Sequence, residues 1–417
     1  MPPSRGLTQT FVTRGLVLTE LEFSVPLDHA APDGERITIF AREVADPDGR
    51  DRPLLVFFQG GPGHEAARPT RHPTNPGWLD RALSDFRVLM LDQRGTGRST
   101  PVGALPGMTP QEQADHLAHF RADAIVRDAE HIREQLGVER WSVLGQSFGG
   151  LCVTTYLSIA PDGLREALIT GGLPAVGREV DEVYAETFAL QRDRNRSFYE
   201  RYPADRERVT TLLRTLEAED VRLPGGDRLT ARRLRMAGSG LGMSDGADNL
   251  HYLLEQPHDA PGFLHDVAAG MGFARNPLYA LVHEACWADG GATRWSADRM
   301  LPDDFREQPE LLTGEHVFSW VFEDFGALAP LREAAELLAA REWPRLYDEE
   351  ALARNEVPVA AAVYAEDPYV PRRFSEETAQ RIRGARVWLT NEFDHNALRA
   401  DGERLLGRLL DLARGRA

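Results

Sequence analysis

The sequence predicts an α/β protein: a mostly parallel sheet with helices on both faces and a large helical cap inserted between core strands. Three observations lead there. Short continuous apolar runs, LLVFF at Leu54–Phe58 and RVLML at Arg87–Leu91, have the composition of strands buried on both faces. Segments with apolar residues at helical spacing lie between such runs, and strands alternating with helices define a parallel sheet. From about 176 to 350 the alternation stops, and it resumes with VPVAAAVYAED at Val357–Asp367.

In chain order, Leu16–Val25 and Arg36–Val44 read as an antiparallel hairpin at a sheet edge, turned by Pro32, Asp33 and Gly34. The two buried strands follow. Phe120, Ala124, Ile125, Ala129, Ile132 and Leu136 fall at helical spacing, and Gly137 supplies a stop. Trp141–Leu144 is a strand, LCVTTYLSIA after Gly150 a helix, and Ala167–Thr170 a further short strand. The region 176–350 is rich in Arg and Glu, helical in period, and broken at Pro203, Pro224, Pro257, Pro261, Pro277 and Pro302. A helix near 374–383, the strand ARVWLTNE and a closing helix near 397–413 complete the chain. The expected division is a core of 1–175 and 351–417 with a cap domain of 176–350 over the active site.

Composition excludes several classes of function. At 42% hydrophobic the 417 residues supply a core for a soluble protein, and no stretch approaches the roughly 18–20 apolar residues of a membrane span. The start, MPPSRGLTQTFVTRGL, lacks the apolar segment of a signal peptide. Two cysteines, Cys152 and Cys286, make no disulfide framework, so a cytoplasmic location is expected. A net charge of −17 argues against nucleic acid as partner. All 48 basic residues are Arg, a bias of composition that carries no functional signal. His251, His258 and His265 recur every seven residues, but Pro257 and Pro261 break any helix that would align them, so no metal is expected. Gly238–Gly242 (GSGLG) follows no strand and is no dinucleotide fingerprint; no cofactor is expected.

The most informative run is WSVLGQSFGG, Trp141–Gly150. A strand meets Gly-x-Ser-x-Gly and a helix follows at once, an order that resembles the nucleophile elbow of α/β-hydrolases. The turn is so sharp that residues flanking the nucleophile must be nearly free of side chain, hence Gly145 and Gly149. A second match, Gly242-Met243-Ser244-Asp245-Gly246, has no apolar strand before it and no evident helix start with a buried face after it, and reads as a loop. Context selects Ser147.

A serine hydroxyl needs a base within hydrogen-bond reach, oriented by a carboxylate. In this fold the acid and then the histidine follow the serine, each after a late strand. Asp367 stands where VPVAAAVYAE ends, and His395 follows ARVWLTNE in the loop NEFDHNA. Asp367 is preferred to Glu366, because the last strand residue should point along the sheet, and to Asp394, which adjoins the histidine too closely to face its ring. Attack at a carbonyl builds an oxyanion, which each preorganised N–H donor stabilises by roughly 3–4 kcal/mol. The donors expected are the N–H of Phe148 and one from Gln59-Gly60-Gly61-Pro62-Gly63, with Gly61 the choice.

QGGPG after a strand, LDQRGTGRS at Leu91–Ser99 and GQSFGG together resemble the prolyl aminopeptidases, or proline iminopeptidases, over essentially the whole chain and in a longer form with an enlarged cap. The resemblance implies an α/β-hydrolase that releases N-terminal proline from peptides whose amine is free. Where many members read HGGPG, Gln59 stands in place of His, which leaves the backbone donors intact. Asp92 and Arg94 of the second motif would fix loops near the elbow rather than touch substrate. Shorter members hold the substrate amine with two cap glutamates. The matching segments here are VHEACW and GEHVF, which assign amine recognition to Glu284 and Glu315, 31 residues apart. An unpaired ammonium stripped of water would cost several kcal/mol, so a counter-charge is required. The proline ring wants an apolar slot, for which Phe148, Leu173, Phe318 and Trp320 are candidates. The arginine and phenylalanine that short members carry after the sixth strand are missing from Thr170–Leu173. That departure keeps open an aminopeptidase of broader choice or an esterase on the same fold. A non-catalytic ligand-binding protein is the remote alternative, and the oligomeric state is not legible.

Overall fold

The computed structural model describes residues 9–417. Nine strands form one sheet: β1 (Gln9–Thr13), β2 (Leu16–Pro26), β3 (Arg36–Ala45), β4 (Leu54–Phe58), β5 (Arg87–Leu91), β6 (Trp141–Gln146), β7 (Leu164–Thr170), β8 (Val359–Tyr364) and β9 (Ala385–Thr390). Their order is β1-β2-β3-β5-β4-β6-β7-β8-β9. The first three and the β3–β5 pair are antiparallel, and every pairing from β5 to β9 is parallel. The hairpin read from the sequence is present, with Val17 opposite Ala45 and Val25 opposite Ile37. It is not the margin of the sheet. Strand β1 pairs outside it, and all five of its residues are exposed, so neither periodicity nor burial announced it.

Alternation along the central strands explains their unbroken hydrophobicity. Leu54, Val56 and Phe58 of β4 face one apolar layer, which includes the helices Ala122–Gln135 and Phe148–Ile159. Leu55 and Phe57 face a second layer, containing Trp78, Leu79 and the leucines of the helix Gly402–Ala413. Each face of a parallel strand is therefore dry. The closing helix is split at Asp401, between Ala397–Ala400 and Gly402–Ala413. Gly402 packs so closely on Trp78 that a Cβ there would stand 2.8 Å from that residue's own Cβ.

No strand of the sheet interrupts the chain between β7 and β8 among the described residues. The segment instead folds into short helices, and three of the prolines that broke the periodicity open one: Pro203–Ala218, Pro261–Gly270 and Pro277–Val282. Proline suits the first turn because its missing N–H has no partner to lose there. Part of this segment has its own apolar centre, with Phe198, Leu213, Leu250, Phe263 and Leu312. Another part, including Leu278, Phe305, Phe318 and Trp343, is continuous with the core under the sheet. Among the described residues no helix is long and apolar enough to cross a membrane.

Candidate active site

Ser147 sits at the end of β6 with φ 56° and ψ −123°, a conformation that a non-glycine residue adopts only where its surroundings impose it. They do so here. A Cβ on Gly145 would lie 2.2 Å from Gly149 O, and one on Gly149 would lie 2.0 Å from Phe58 O. The turn is thus pressed against its own helix and the end of β4, and only glycine fits on either side. The Ser147 N–H donates to Thr170 O at 2.8 Å, and its carbonyl accepts from Gly150 N at 2.6 Å. Sheet and helix hold the residue from both directions.

His395 is buried, and its Nδ1 lies 2.6 Å from Asp367 Oδ2. The other carboxylate oxygen accepts the N–H groups of Tyr369 at 2.9 Å and Val370 at 3.1 Å, which fixes its rotation. The rejected acids point elsewhere. Asp394 Oδ1 accepts from Arg194 Nη2 at 2.6 Å, and the Glu366 side chain is turned to solvent. Burial pulls the His395 imidazole down, but the Asp367 charge and hydrogen bond, with Glu315 behind them, lift it above its ordinary 6.5. Gly171 separates ring and nucleophile: a Cβ there would stand 3.1 Å from His395 Cε1 and 3.1 Å from Ser147 N. Serine and imidazole are neighbours across this glycine, with no hydrogen bond between them among the described residues.

The glycine loop leaving β4 lies against the elbow. A Cβ on Gly60 would meet Ser147 Cβ at 3.2 Å, and Gln93 Nε2 holds Gln59 O at 3.0 Å. Gly61 follows at φ 134°, open to few residues but glycine. Among the described residues neither Gly61 N–H nor Phe148 N–H has an acceptor. Asp92 and Arg94 are wholly buried and brace loops. Asp92 takes both guanidinium nitrogens of Arg68 at 2.8 Å and Arg98 N at 3.0 Å. Arg94 grips Asp128 with two bonds and also the carbonyls of Leu27 and His119.

The two glutamates differ. Glu315 lines a cavity of ≈190 Å³ together with His64, Phe273, Tyr279 and Ser239. Its Oε1 accepts from Tyr279 Oη at 2.6 Å, and His283 Nε2 lies 3.7 Å from Oε2. Burial pushes this carboxyl up, yet His283, Tyr279 and the more distant His395 outweigh it and hold the group below its usual 4.5, charged. Glu284, expected to share the amine with Glu315, is buried and does not line this cavity. Its Oε1 accepts from Ala297 N at 2.9 Å, while Oε2 has no partner among the described residues. Burial raises its pKa to about 7.

Leu173, Phe318 and Trp320 do not line this cavity. Leu173 is fully buried, its N–H on Ser375 Oγ at 3.0 Å. Phe318 stacks on Trp320 at 5.6 Å, and Trp320 is covered by the Arg232 guanidinium at 4.8 Å. These side chains serve packing. The aromatic walls are Phe273 and Tyr279, which sequence reasoning missed; the one legible sign was Tyr279 standing a helical turn before His283. Tyr369, also missed, lies edge-on to the His395 ring at 4.6 Å and donates its hydroxyl to Ser239 O, so it joins the histidine to the cavity wall. The second Gly-x-Ser-x-Gly match was expected to lack a helix behind it. A helix does begin at Gly246 and buries Leu250 and Leu254, but a 3₁₀ turn, Met236–Gly242, precedes it in place of a strand. That segment grips the histidine loop: His395 N donates to Gly242 O at 3.1 Å, and Ser244 N and Oγ donate to Asn396 Oδ1 at 3.0 and 2.6 Å.

A strained serine between strand and helix, with a buried Asp–His pair beyond the later strands, defines an α/β-hydrolase, and the family described as alpha/beta hydrolase fold matches residues 53–398. A proline iminopeptidase of Aeromonas sobria is 48% identical over 412 residues, covering 94% of this chain and 95% of that protein. One from Aspergillus aculeatus is 34% identical, with 95% and 94% covered. The chain belongs to the proline iminopeptidase family. A crystal structure of proline iminopeptidase from Mycobacterium smegmatis aligns over 94% of this chain and 98% of that one, at 15% identity and a TM-score of 0.47.

Proposed function

We propose that this protein is a serine exopeptidase that releases N-terminal proline from peptides. The observation that carries the reading is the charged Glu315 carboxylate, facing a cavity beside the buried His395–Asp367 pair. His395 Nε2 takes the Ser147 proton as Oγ bonds to the prolyl carbonyl carbon. Unliganded sites often hold this hydrogen bond open until substrate closes it. The oxygen of the tetrahedral intermediate is received by the N–H groups of Phe148 and Gly61. The C–N bond then breaks, His395 returns its proton to the leaving nitrogen, and water attacks the prolyl ester by the reverse route. Glu315 is the counter-charge for the secondary ammonium; Glu284, its Oε2 buried away from this cavity, does not reach the amine in this arrangement. In this reading 1–175 and 351–417 form the core and 176–350 the cap that supplies Glu315. The compartment is the reducing cytoplasm, where the two free, buried cysteines need no partner. A proline arylamide should be cleaved at least ~100-fold faster than its N-acylated analogue, the loss expected when a buried carboxylate is left unpaired. Equal rates for the two would refute the amine site.

A further inference from the structure

The inserted segment opens with the helix Val180–Arg201, and one residue of that helix touches the loops of both His395 and its partner acid. Strands β8 and β9 pair as far as Tyr364 and Thr390, and Ala365 N donates to Thr390 O at 2.9 Å. Past that point, among the described residues, the one direct hydrogen bond between the two loops is that of the Asp367–His395 pair itself. Arg194 supplies a second link. Its Nε and Nη2 donate to Glu366 O at 3.2 and 2.7 Å, and Nη2 also donates to Asp394 Oδ1 at 2.6 Å. The first acceptor is the carbonyl of the peptide bond into Asp367, and the second is the side chain of the residue just before His395. The same helix reaches the opposite side of the site. About 15 Å back along its axis, Tyr184 Oη meets His283 Nδ1 at 3.3 Å, and His283 Nε2 lies 3.7 Å from Glu315 Oε2.

We propose that Arg194 is a positioning residue for the reaction: it sets the spacing of the acid and base loops and ties both to the helix whose Tyr184 backs His283 and, through it, Glu315. The assignment rests on the function proposed above. A planar guanidinium suits the task, because its donors stand at fixed separations and can serve a carbonyl and a carboxylate together, which a single ammonium cannot reproduce. Arg194 also balances charge. Asp367, Asp394 and Glu315 all face the His395 ring with negative charge, while Tyr369, edge-on to it, keeps its proton. Arg194 is the cation set against Asp394, and its Nη1 lies 3.9 Å from the Glu366 carboxylate. It therefore offsets one of the three charges that hold a proton on the imidazole, and the base acts only when that proton is off.

The test measures hydrolysis of a proline arylamide, per Ser147 that a fluorophosphonate can titrate, in the wild type, Arg194→Met, Arg194→Lys and Asp394→Asn. Arg194→Met should lower kcat by about tenfold with KM within about twofold, and move the midpoint of the kcat/KM profile upward by roughly 0.3–0.5 pH. Arg194→Lys keeps the charge without the fork, so its midpoint should stay near that of the wild type while part of the rate returns. Asp394→Asn removes the opposing carboxylate and should move the midpoint down, a measurement that holds even if the Arg194 variants fail to fold. An arginine that serves the fold alone predicts fewer titratable sites with an unmoved midpoint, and that result overturns the assignment. So do a KM that rises in step with the fall in kcat, no gain of rate from methionine to lysine, or midpoints that move the same way in Arg194→Met and Asp394→Asn. A wild type that leaves the arylamide intact overturns instead the function on which the assignment rests; the rate at which the fluorophosphonate labels Ser147, across the same variants and pH range, then carries the test.

Discussion

Asp367 holds His395 with one oxygen and two backbone N–H groups with the other, so the carboxylate cannot turn without losing bonds on both sides. In Asp367→Asn the amide must offer its NH₂ either to the ring or to those N–H groups. The first choice stabilises the tautomer with its proton on Nε2, which cannot accept from serine. Loss of kcat on the order of 10⁴-fold follows, as for the equivalent change in serine proteases. The pH dependence has a definite sign. The base must be neutral to act, and its pKa lies above 6.5 because Asp367 overcomes the effect of burial. Wild-type kcat/KM should therefore rise through a pKa above that of a free imidazole, and the residual activity of Asp367→Asn should rise at lower pH. A variant within tenfold of wild type, measured across the profile, would remove Asp367 from the proposed role. The pairing of Asp367 with His395 was legible because strand ends are marked in sequence: apolar runs stop, and the next polar group stands at the rim of the sheet. Tyr279 and Tyr369 were not, since an aromatic residue in a helix or turn looks the same whether it packs or faces substrate.

At the scale of elements, the histidine loop and the segment Gly238–Gly246 act as one unit joined through Asn396. Nothing in the spacing of these residues predicts that contact, because they lie about 150 positions apart and meet only through packing of the inserted helices. The sheet was more readable. β4, β5, β6, β8 and the Ala167–Thr170 half of β7 are mostly apolar and buried, whereas β1 is exposed throughout and left no pattern. Asn396→Ala removes the acceptor for two Ser244 donors, which should cost about 1–3 kcal/mol of local stability. The histidine should then sample positions away from the serine, lowering kcat by about tenfold while KM changes little. Asn396→Asp keeps the acceptor for Ser244 but replaces the Nδ2 donor to Asp245 Oδ1 (3.5 Å) with a second carboxylate, so it should restore only part of the rate. A positioning role is contradicted if KM rises in step with the fall in kcat, or if the aspartate variant is no better than alanine.

Across the whole molecule, two buried arginines test which polar contacts hold the fold together. Arg94 joins β2, the DQRG turn and the helix Ala122–Gln135, and its guanidinium is fully bonded: Asp128 twice, with the carbonyls of Leu27, Pro26 and His119. Arg121 reaches from the core to the inserted segment, donating Nη2 to Ala288 O and Pro344 O beneath the Trp343 ring. Its Nε and Nη1 have no partner among the described residues, and burial lowers its pKa. One is a completed ion pair and the other an incompletely compensated buried charge, so their substitutions should differ in size and even in sign. Asp128→Ala strands the Arg94 charge and should lower unfolding stability by about 3–5 kcal/mol. Arg121→Met removes an uncompensated charge and two open donors, at the loss of two hydrogen bonds and a cation–π contact worth about 1–2 kcal/mol. The net should fall between about −1 and +1 kcal/mol, since exchanging a buried charge for an apolar chain of similar length is often neutral. Denaturant titration of both variants at neutral pH checks the pair. Equal destabilisation would mean that Arg121 is bonded in solution as completely as Arg94, and that core and inserted segment are clamped by charge rather than by the continuous apolar layer running from Ile169 in β7 to Leu278 and Phe318.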